Sequence, residues 1–289
     1  MTDESIGYII PFAKRRGETS FSSLKTLKRL LKTQKVGHTG TLDAFADGLL
    51  VALSGKLTRI ASFIEAKTKI YEAEIVFGVE TDTLDIFGKP IFSTSLPLYK
   101  DLPVALSKFI GNIMQVPPQY SALHVGGRRA YEVARGGESV ELLPRPVFIE
   151  EIKVMGVLFA DSSVFVETAV AEQKKDGKVG ALHIKIRCSK GTYIRSLARD
   201  IGKELSSCAH LRALRRVVVG NFSLEKAFGY ELLPHFLSDD VSKEEYKGNI
   251  EDYLLTFSIE VCRSLNLFYL NLKEEFKTSF LQGKKIRDF

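Results

Sequence analysis

Asp43 is the residue of this chain that most demands a chemical explanation. It lies in GHTGTLDAFADG, residues 37–48, between glycines that let a backbone turn tightly. Asp47 follows in the same loop, and two carboxylates so placed admit a paired acid/base site or a metal loop. The evenly spaced acids and closing glutamate of a calcium loop are absent, and nothing nearby supplies a second carboxylate pair with histidine, so no metal is expected. Taken alone, the loop equally allows Asp43 to be a turn residue bonding its own backbone. Arg195 is the second candidate. In CSKGTYIRSLARDIG, residues 188–202, Gly191-Thr192 leads from a strand into a helix and Arg195 falls in its first turn. A helix start favours acids, so this arginine asks for a carboxylate or phosphate partner, unless it is an ordinary surface side chain. Tyr71 is the third, on the apolar side of an alternating strand, where it is either a core ring or one facing a ligand.

The elements that must position these residues form an irregular series. Ser20 or Ser22 is expected to cap a helix whose inner face carries Leu24, Leu27, Leu30 and Leu31, with Lys25, Lys28, Arg29 and Lys32 opposite. A buried strand is expected over 49–53, a short helix over 56–65, and a strand with one wet face over 69–78. Asp101 is expected to cap a helix carrying Leu106, Phe109 and Ile110. Gly126-Gly127 and Asp176-Gly177 mark hairpins. Strands follow near 148–157, 164–170, 181–188 and 217–219, with a helix from Thr192 that turns Ile194, Leu197, Ala198, Ile201 and Leu205 inward. Strands and helices do not alternate regularly, which predicts an α+β fold around a mixed, largely antiparallel sheet with flanking helices.

Charge is distributed unevenly. Residues 14–35 hold eight Lys/Arg against Glu18, and residues 185–216 hold nine against Asp200 and Glu204. Residues 231–260 reverse the sign, with eight acids against Lys243 and Lys247. Two basic stretches that meet in the fold would make a surface for a polyanion, although either alone reads as a solvated helix face. The sign change places the one plausible boundary after Gly229. The composition, 45% hydrophobic and 26% charged, excludes disordered, collagen-like and disulfide-stapled classes. No apolar run is long enough to span a bilayer, the start shows no signal-peptide pattern, and Cys188, Cys208 and Cys262 share no CxxC spacing. A cytoplasmic protein with free thiols is expected.

Five stretches in order, VGHTGTLDAFADGLL, KIYEAEIVFGVETDTLD, VPPQYSALHVGGRRAYEVAR, CSKGTYIRSLARDIG and AHLRALRR, resemble the bacterial tRNA pseudouridine synthase B (TruB) family over residues 7–219. The resemblance implies a pseudouridine synthase fold over residues 1–229 and a shortened or divergent PUA-like module over 230–289. It implies an isomerase that converts the T-loop uridine of tRNA (position 55) to pseudouridine by base flipping, acting as a monomer on the T-arm, with no cofactor and no membrane. Asp43 takes the place of the family nucleophile, Tyr71 that of the tyrosine packing on the base, and Arg195 that of the arginine paired with the aspartate. Leu214, Gly40 and Tyr193 belong to the substrate pocket, and His38 resembles the wedge that fills the gap left by the flipped base. The chemistry agrees. A glycosidic C–N bond is exchanged for a C–C bond to the same base, with no net redox change and no group lost. What is needed is a nucleophile on sugar or base, exclusion of water and extrusion of the uridine.

Four departures accompany the resemblance. Ala44 stands where proline is usual, and Asp47 where threonine is common. The Pro-to-Gly spacing in PFAKRRGETS is longer, so the lysine that buttresses the tyrosine strand is either missing or replaced by Lys14 or Arg15. FLQGKKI resembles the opening of a PUA domain, yet too few residues follow for a whole barrel. A non-catalytic tRNA-binding or folding chaperone on the same scaffold is the alternative. A nucleoside glycosidase would need a second, water-activating carboxylate, and none can be placed.

Overall fold

A computed structural model describes residues 7–121, 123–125, 128–129, 133, 141–238, 240, 244–268 and 272–284. In chain order its elements are β1 (Ile9–Lys14), α1 (Ser20–Leu30), β2 (Val36–His38), β3 (Asp47–Ser54), α2 (Ala61–Glu65), β4 (Lys69–Phe77), β5 (Val79–Thr81), β6 (Pro90–Ser93), α3 (Leu102–Ser107), β7 (Gly111–Gln115), β8 (His124–Val125), β9 (Arg128–Arg129), β10 (Arg145–Phe159), α4 (Thr168–Ala171), β11 (Val179–Cys188), α5 (Ile194–Glu204), β12 (Ala209–Val219), β13 (Phe222–Ser223), α6 (Ile259–Ser264) and α7 (Glu274–Leu281). A nine-stranded sheet runs β1-β3-β12-β4-β11-β10-β7, with β2 on β3 and β13 on β12. Its pairs are antiparallel except β3 with β12, which run parallel at Asp47–Arg215 and Gly48–Arg216. The fold is thus α+β on a mixed, largely antiparallel sheet. No helix among the described residues is long and apolar enough to cross a membrane.

The two halves of the sheet bury differently, as their sequences dictate. β1 and β3 are buried at every position, because the sheet is covered on both sides there. Leu24 and Leu27 of α1 pack on Ile10, Phe12 and Ala52, while Leu57 and Ile64 pack on Ile9, Leu49 and Leu53. β4 and β11 alternate. Tyr71, Ala73, Ile75, Ile184 and Ile186 face Ile194, Leu197 and Ile201 of α5. On their other side Lys185 and Glu72 approach to 3.9 Å.

Several local expectations need correction. Thr19 caps α1, its Oγ1 accepting from the Ser22 amide at 3.0 Å. Ser20 is instead buried, accepting from Leu42 N at 2.9 Å and donating to Leu42 O at 3.0 Å, which ties α1 to the loop before Asp43. Asp101 stands at the start of α3 without a side-chain cap bond. The strand expected over 164–170 is a single bridge, Val157–Val166, running into α4, so β10 and β11 are not joined by a tight hairpin. β8 and β9 do pair, Val125 with Arg128, about Gly126-Gly127, which lie outside the described residues. β12 reaches back eight residues before Val217, to Ala209, since its arginines find partners inside the fold.

The described residues after Gly229 are not set apart from the sheet. Leu255 exchanges backbone hydrogen bonds of 2.9 Å with Ile9 in both directions. Tyr246 donates to Ala13 O at 3.0 Å and its ring lies 4.8 Å from Phe12. Ile250 joins the cluster under α1, and Leu265 the cluster on the other face of β1 and β3.

Candidate active site

Arg195 enters from the first turn of α5 and is 5% exposed, against 37% for the Asp43 side chain. Nε donates to Asp43 Oδ2 at 2.9 Å and Nη2 to Asp43 Oδ1 at 3.1 Å, a two-pronged geometry only a guanidinium can make. Nη1 donates to Thr83 O at 2.8 Å and Nη2 to Tyr120 O at 2.9 Å. One buried arginine thus joins the Asp43 loop, the turn after β5 and the segment after β7. Its partner is a carboxylate, which answers the question raised by a cation at a helix start. The start of α5 is itself held from across the fold: Tyr193 N donates to Gln115 Oε1 at 2.8 Å and Gln115 Nε2 donates to Tyr193 O at 3.1 Å.

A cavity of about 340 Å³ opens on this pair, lined by Gly40, Asp43, Tyr71, Tyr193, Arg195 and Leu214 among others. Tyr71 is fixed in the middle of the sheet, opposite Ile186 on one side and Arg216 on the other. Burial pushes its phenol above the ordinary value, with Arg216 pulling the other way. Burial likewise raises the Tyr193 phenol. His38 lines a second cavity, of about 670 Å³, on which Asp43 and Arg195 also open. Burial, and then Arg216, lower the pKa of His38, and its Nδ1 accepts from Gly40 N at 3.2 Å. Six of the seven residues singled out in the sequence therefore share the first cavity, and His38 stands at the adjoining one.

Asp85 is the site residue that sequence reasoning passed over. Its Oδ2 lies 3.5 Å from Arg195 Nη1, and its Oδ1 accepts from Thr83 Oγ1 at 2.8 Å and Phe87 N at 3.0 Å. Burial pushes its carboxyl up, against the pull of Arg195. Its only signal in the sequence is its place at the end of KIYEAEIVFGVETDTLD. Asp47 is not a second catalytic carboxylate. It is 1% exposed and bound by Arg215 at 2.6 and 2.9 Å. Of the two substitutes considered for the missing lysine, Lys14 is the one that reaches the Asp43 loop. It is fully buried, and its Nζ donates to Ala46 O and Glu18 O at 2.6 Å and to Arg15 O at 3.0 Å. Burial lowers its pKa to about 8. Arg15 pairs with Glu18 instead.

The second basic stretch is divided: Lys190 and Lys203 are exposed, Lys190 on the wall of the first cavity, and Lys185 and Arg187 are partly exposed, while most of its other arginines turn inward. Arg195, Arg215 and Arg216 are buried, Arg212 pairs with Glu74 at 2.9 Å, and Arg199 pairs with Asp200 at 2.8 Å. Lys25, Arg29, Lys32 and Lys35 of the first stretch are exposed.

Residues 28–194 match the family model described as TruB family pseudouridylate synthase, N terminal domain. The chain belongs to the TruB family. It is 44% identical to the tRNA pseudouridine synthase B of Treponema denticola, over 96% of this chain and 84% of that protein. The protein of the same name from Borreliella burgdorferi is 36% identical, over 94% and 90%. Among solved structures, a chain of an H/ACA RNP bound to a substrate RNA containing 2'-deoxyuridine superposes with TM-score 0.54 at 21% identity. That match covers 87% of this chain and 59% of the other, and it speaks for the fold. In this chain Asp43, Tyr71 and Arg195 line one cavity. The unusual Ala44 is held by its own carbonyl, which accepts from Gly17 N at 2.8 Å.

Proposed function

We propose that the protein is a tRNA pseudouridine synthase that isomerises the T-loop uridine at position 55. The observation that carries this is the Asp43–Arg195 fork opening on a cavity walled by Tyr71 and Leu214. The relatives named tRNA pseudouridine synthase B support the substrate class. Asp43 is the nucleophile, adding to the sugar or the base while the uracil turns. Arg195 neutralises and aims it, and the ring of Tyr71 packs on the uracil. Leu214, Gly40 and Tyr193 shape the pocket, and His38, a neutral ring, occupies the gap left by the extruded nucleotide. The reaction rearranges bonds within one nucleotide, so no cofactor or metal takes part. The protein acts as a cytoplasmic monomer on the T-arm. Residues 1–229 carry the chemistry, and residues 230–289 form a divergent PUA-like C-terminal module, of which Tyr246 and Leu255 brace β1.

Asp43→Asn tests this directly. The amide matches the carboxylate in size and is a very poor nucleophile. Pseudouridine formation in a tRNA T-arm, measured in single turnover with excess enzyme, should vanish while filter binding holds or tightens slightly. A variant that modifies at the parent's rate would end the mechanism. Tight binding with no modification by either protein would favour the chaperone.

A further inference from the structure

Arg215 and Arg216 are consecutive on β12, so their side chains leave opposite faces of the sheet. Both return to the loop that carries Asp43. Arg216 holds its beginning, donating from Nη2 to Gly40 O at 3.1 Å and from Nη1 to Thr41 O at 3.3 Å, while its Nε donates to Leu49 O at 2.8 Å. Arg215 holds its end, through Nε to Asp47 Oδ1 at 2.6 Å and Nη2 to Asp47 Oδ2 at 2.9 Å. Between these points the loop closes on itself where Ala46 N donates to Asp43 O at 3.2 Å.

Arg216 lines the substrate cavity, but neither Asp47 nor Arg215 lines either cavity. Both are buried, so they have no path to the nucleotide held there. Stability alone does not call for them, because apolar residues of similar volume often replace a buried ion pair without loss. What the pair does supply is direction. A bidentate fork fixes distance and orientation together, four residues from the carboxylate whose aim matters. Arg215 also reaches beyond the loop. Nη2 donates to Pro234 O at 2.9 Å and the guanidinium lies 5.6 Å from the Phe236 ring centroid, so the segment after Gly229 leans on the same clamp.

We infer that the buried Asp47–Arg215 pair is a positioning device for Asp43, holding the exit of the catalytic loop so that its carboxylate stays on the Arg195 fork. This rests on the synthase reading of the site. It assigns Asp47, an aspartate where threonine is common in the family, a task in this chain.

The test compares the parent, Asp47→Asn, and the apolar pair Asp47→Leu with Arg215→Met, using the full chain with T-arm RNA. Three quantities are read: the single-turnover rate at saturating RNA, the RNA dissociation constant, and amide hydrogen exchange across residues 40–47 against residues 194–204. We expect the rate to fall by about tenfold to a hundredfold, as misplacement at a distance can cause, with affinity within about twofold. Exchange should accelerate in the loop and not in α5. A merely structural pair would leave the rate and loop exchange of the folded protein at the parent's values, whatever happens to the melting temperature, and that result overturns the inference. If the double variant does not fold, Asp47→Asn carries the same readouts. If the parent modifies no RNA, the synthase reading fails. Loop exchange then decides by itself: acceleration supports the clamp, and no change rejects it.

Discussion

Arg195 makes four hydrogen bonds to three segments distant in sequence, so it acts on the aim of Asp43 and on the closure of the site together. Arg195→Met should cut single-turnover modification by at least about a hundredfold while RNA affinity changes little, since one buried cation contributes little to a surface that meets phosphates. Arg195→Lys should rescue poorly, because a point charge cannot fork onto a carboxylate. Equal losses in rate and affinity would recast Arg195 as a phosphate contact. His183 offers a test of a different kind. Its ring packs against Phe165 and Phe236, at 6.4 and 5.1 Å. Burial lowers its pKa, with Glu72 opposing and His235 adding to the effect. Below about pH 6.5 the unfolded chain therefore binds a proton that the folded chain resists, and stability falls on acidification towards the folded pKa. His38, lowered for the same reason, contributes with the same sign. His183→Phe keeps the ring and removes one titration, so its melting temperature should fall less than the parent's between about pH 7.5 and pH 5.5. An equal fall would show that His183 does not carry the effect.

β3 and β12 decide where the catalytic loop ends, and their parallel contact depends on one glycine. Gly48 has φ +110, and a Cβ there would stand 2.4 Å from Arg216 O. Gly48→Ala should therefore cost more than the roughly 1–3 kcal/mol of a strained backbone alone, because backbone meets backbone. Gly37→Ala is the control, as its Cβ would touch only a Thr58 methyl at 3.6 Å. Denaturant midpoints of the two should differ clearly, and similar midpoints would mean that β3 and β12 can separate without cost. The length of β12 explains why this contact was hidden in the chain. AHLRALRR reads as a charged stretch, and the carboxylates of Glu74 and Asp47 with the carbonyls of Gly40, Thr41, Leu49 and Pro234 make its arginines compatible with a central strand. By contrast β3 was legible, because an unbroken apolar run must be covered on both faces.

Across the molecule, cations divide into those that hold the fold and those that face solvent. The exposed cations of α1 and the turn after it, together with Lys190 on the wall of the first cavity, are placed to meet phosphates. Replacing Lys28, Arg29 and Lys32 with glutamine should flatten the salt dependence of RNA binding, lowering the slope of log K against log salt by roughly two to three. An unchanged slope would place the RNA elsewhere. The acidic segment after Gly229 spans the edge of β1. A chain ending at Gly229 would lose the Leu255–Ile9 pairing, Tyr246 on Phe12 and the burial of Ile250 and Leu265. Such a chain should be insoluble or melt without cooperativity. A sharp, reversible melt would show that residues 1–229 stand alone.

Local pattern determined a good deal by itself. Alternation placed Tyr71 on the inner face of β4, glycines marked the Asp43 loop, and the strand-to-helix turn put Arg195 at the start of α5, since each depends on residues a few positions apart. The ordered motifs then tied the three together. What only the tertiary structure decided are pairings across long separations. They include Asp85 beneath Arg195, Arg215 on Asp47, Lys14 on Ala46 O, Gln115 holding Tyr193, and the tail's place on β1. A buried charge looks the same in a sequence as a solvated one. Its partner, which lies many residues away, determines whether it grips a phosphate or holds a loop.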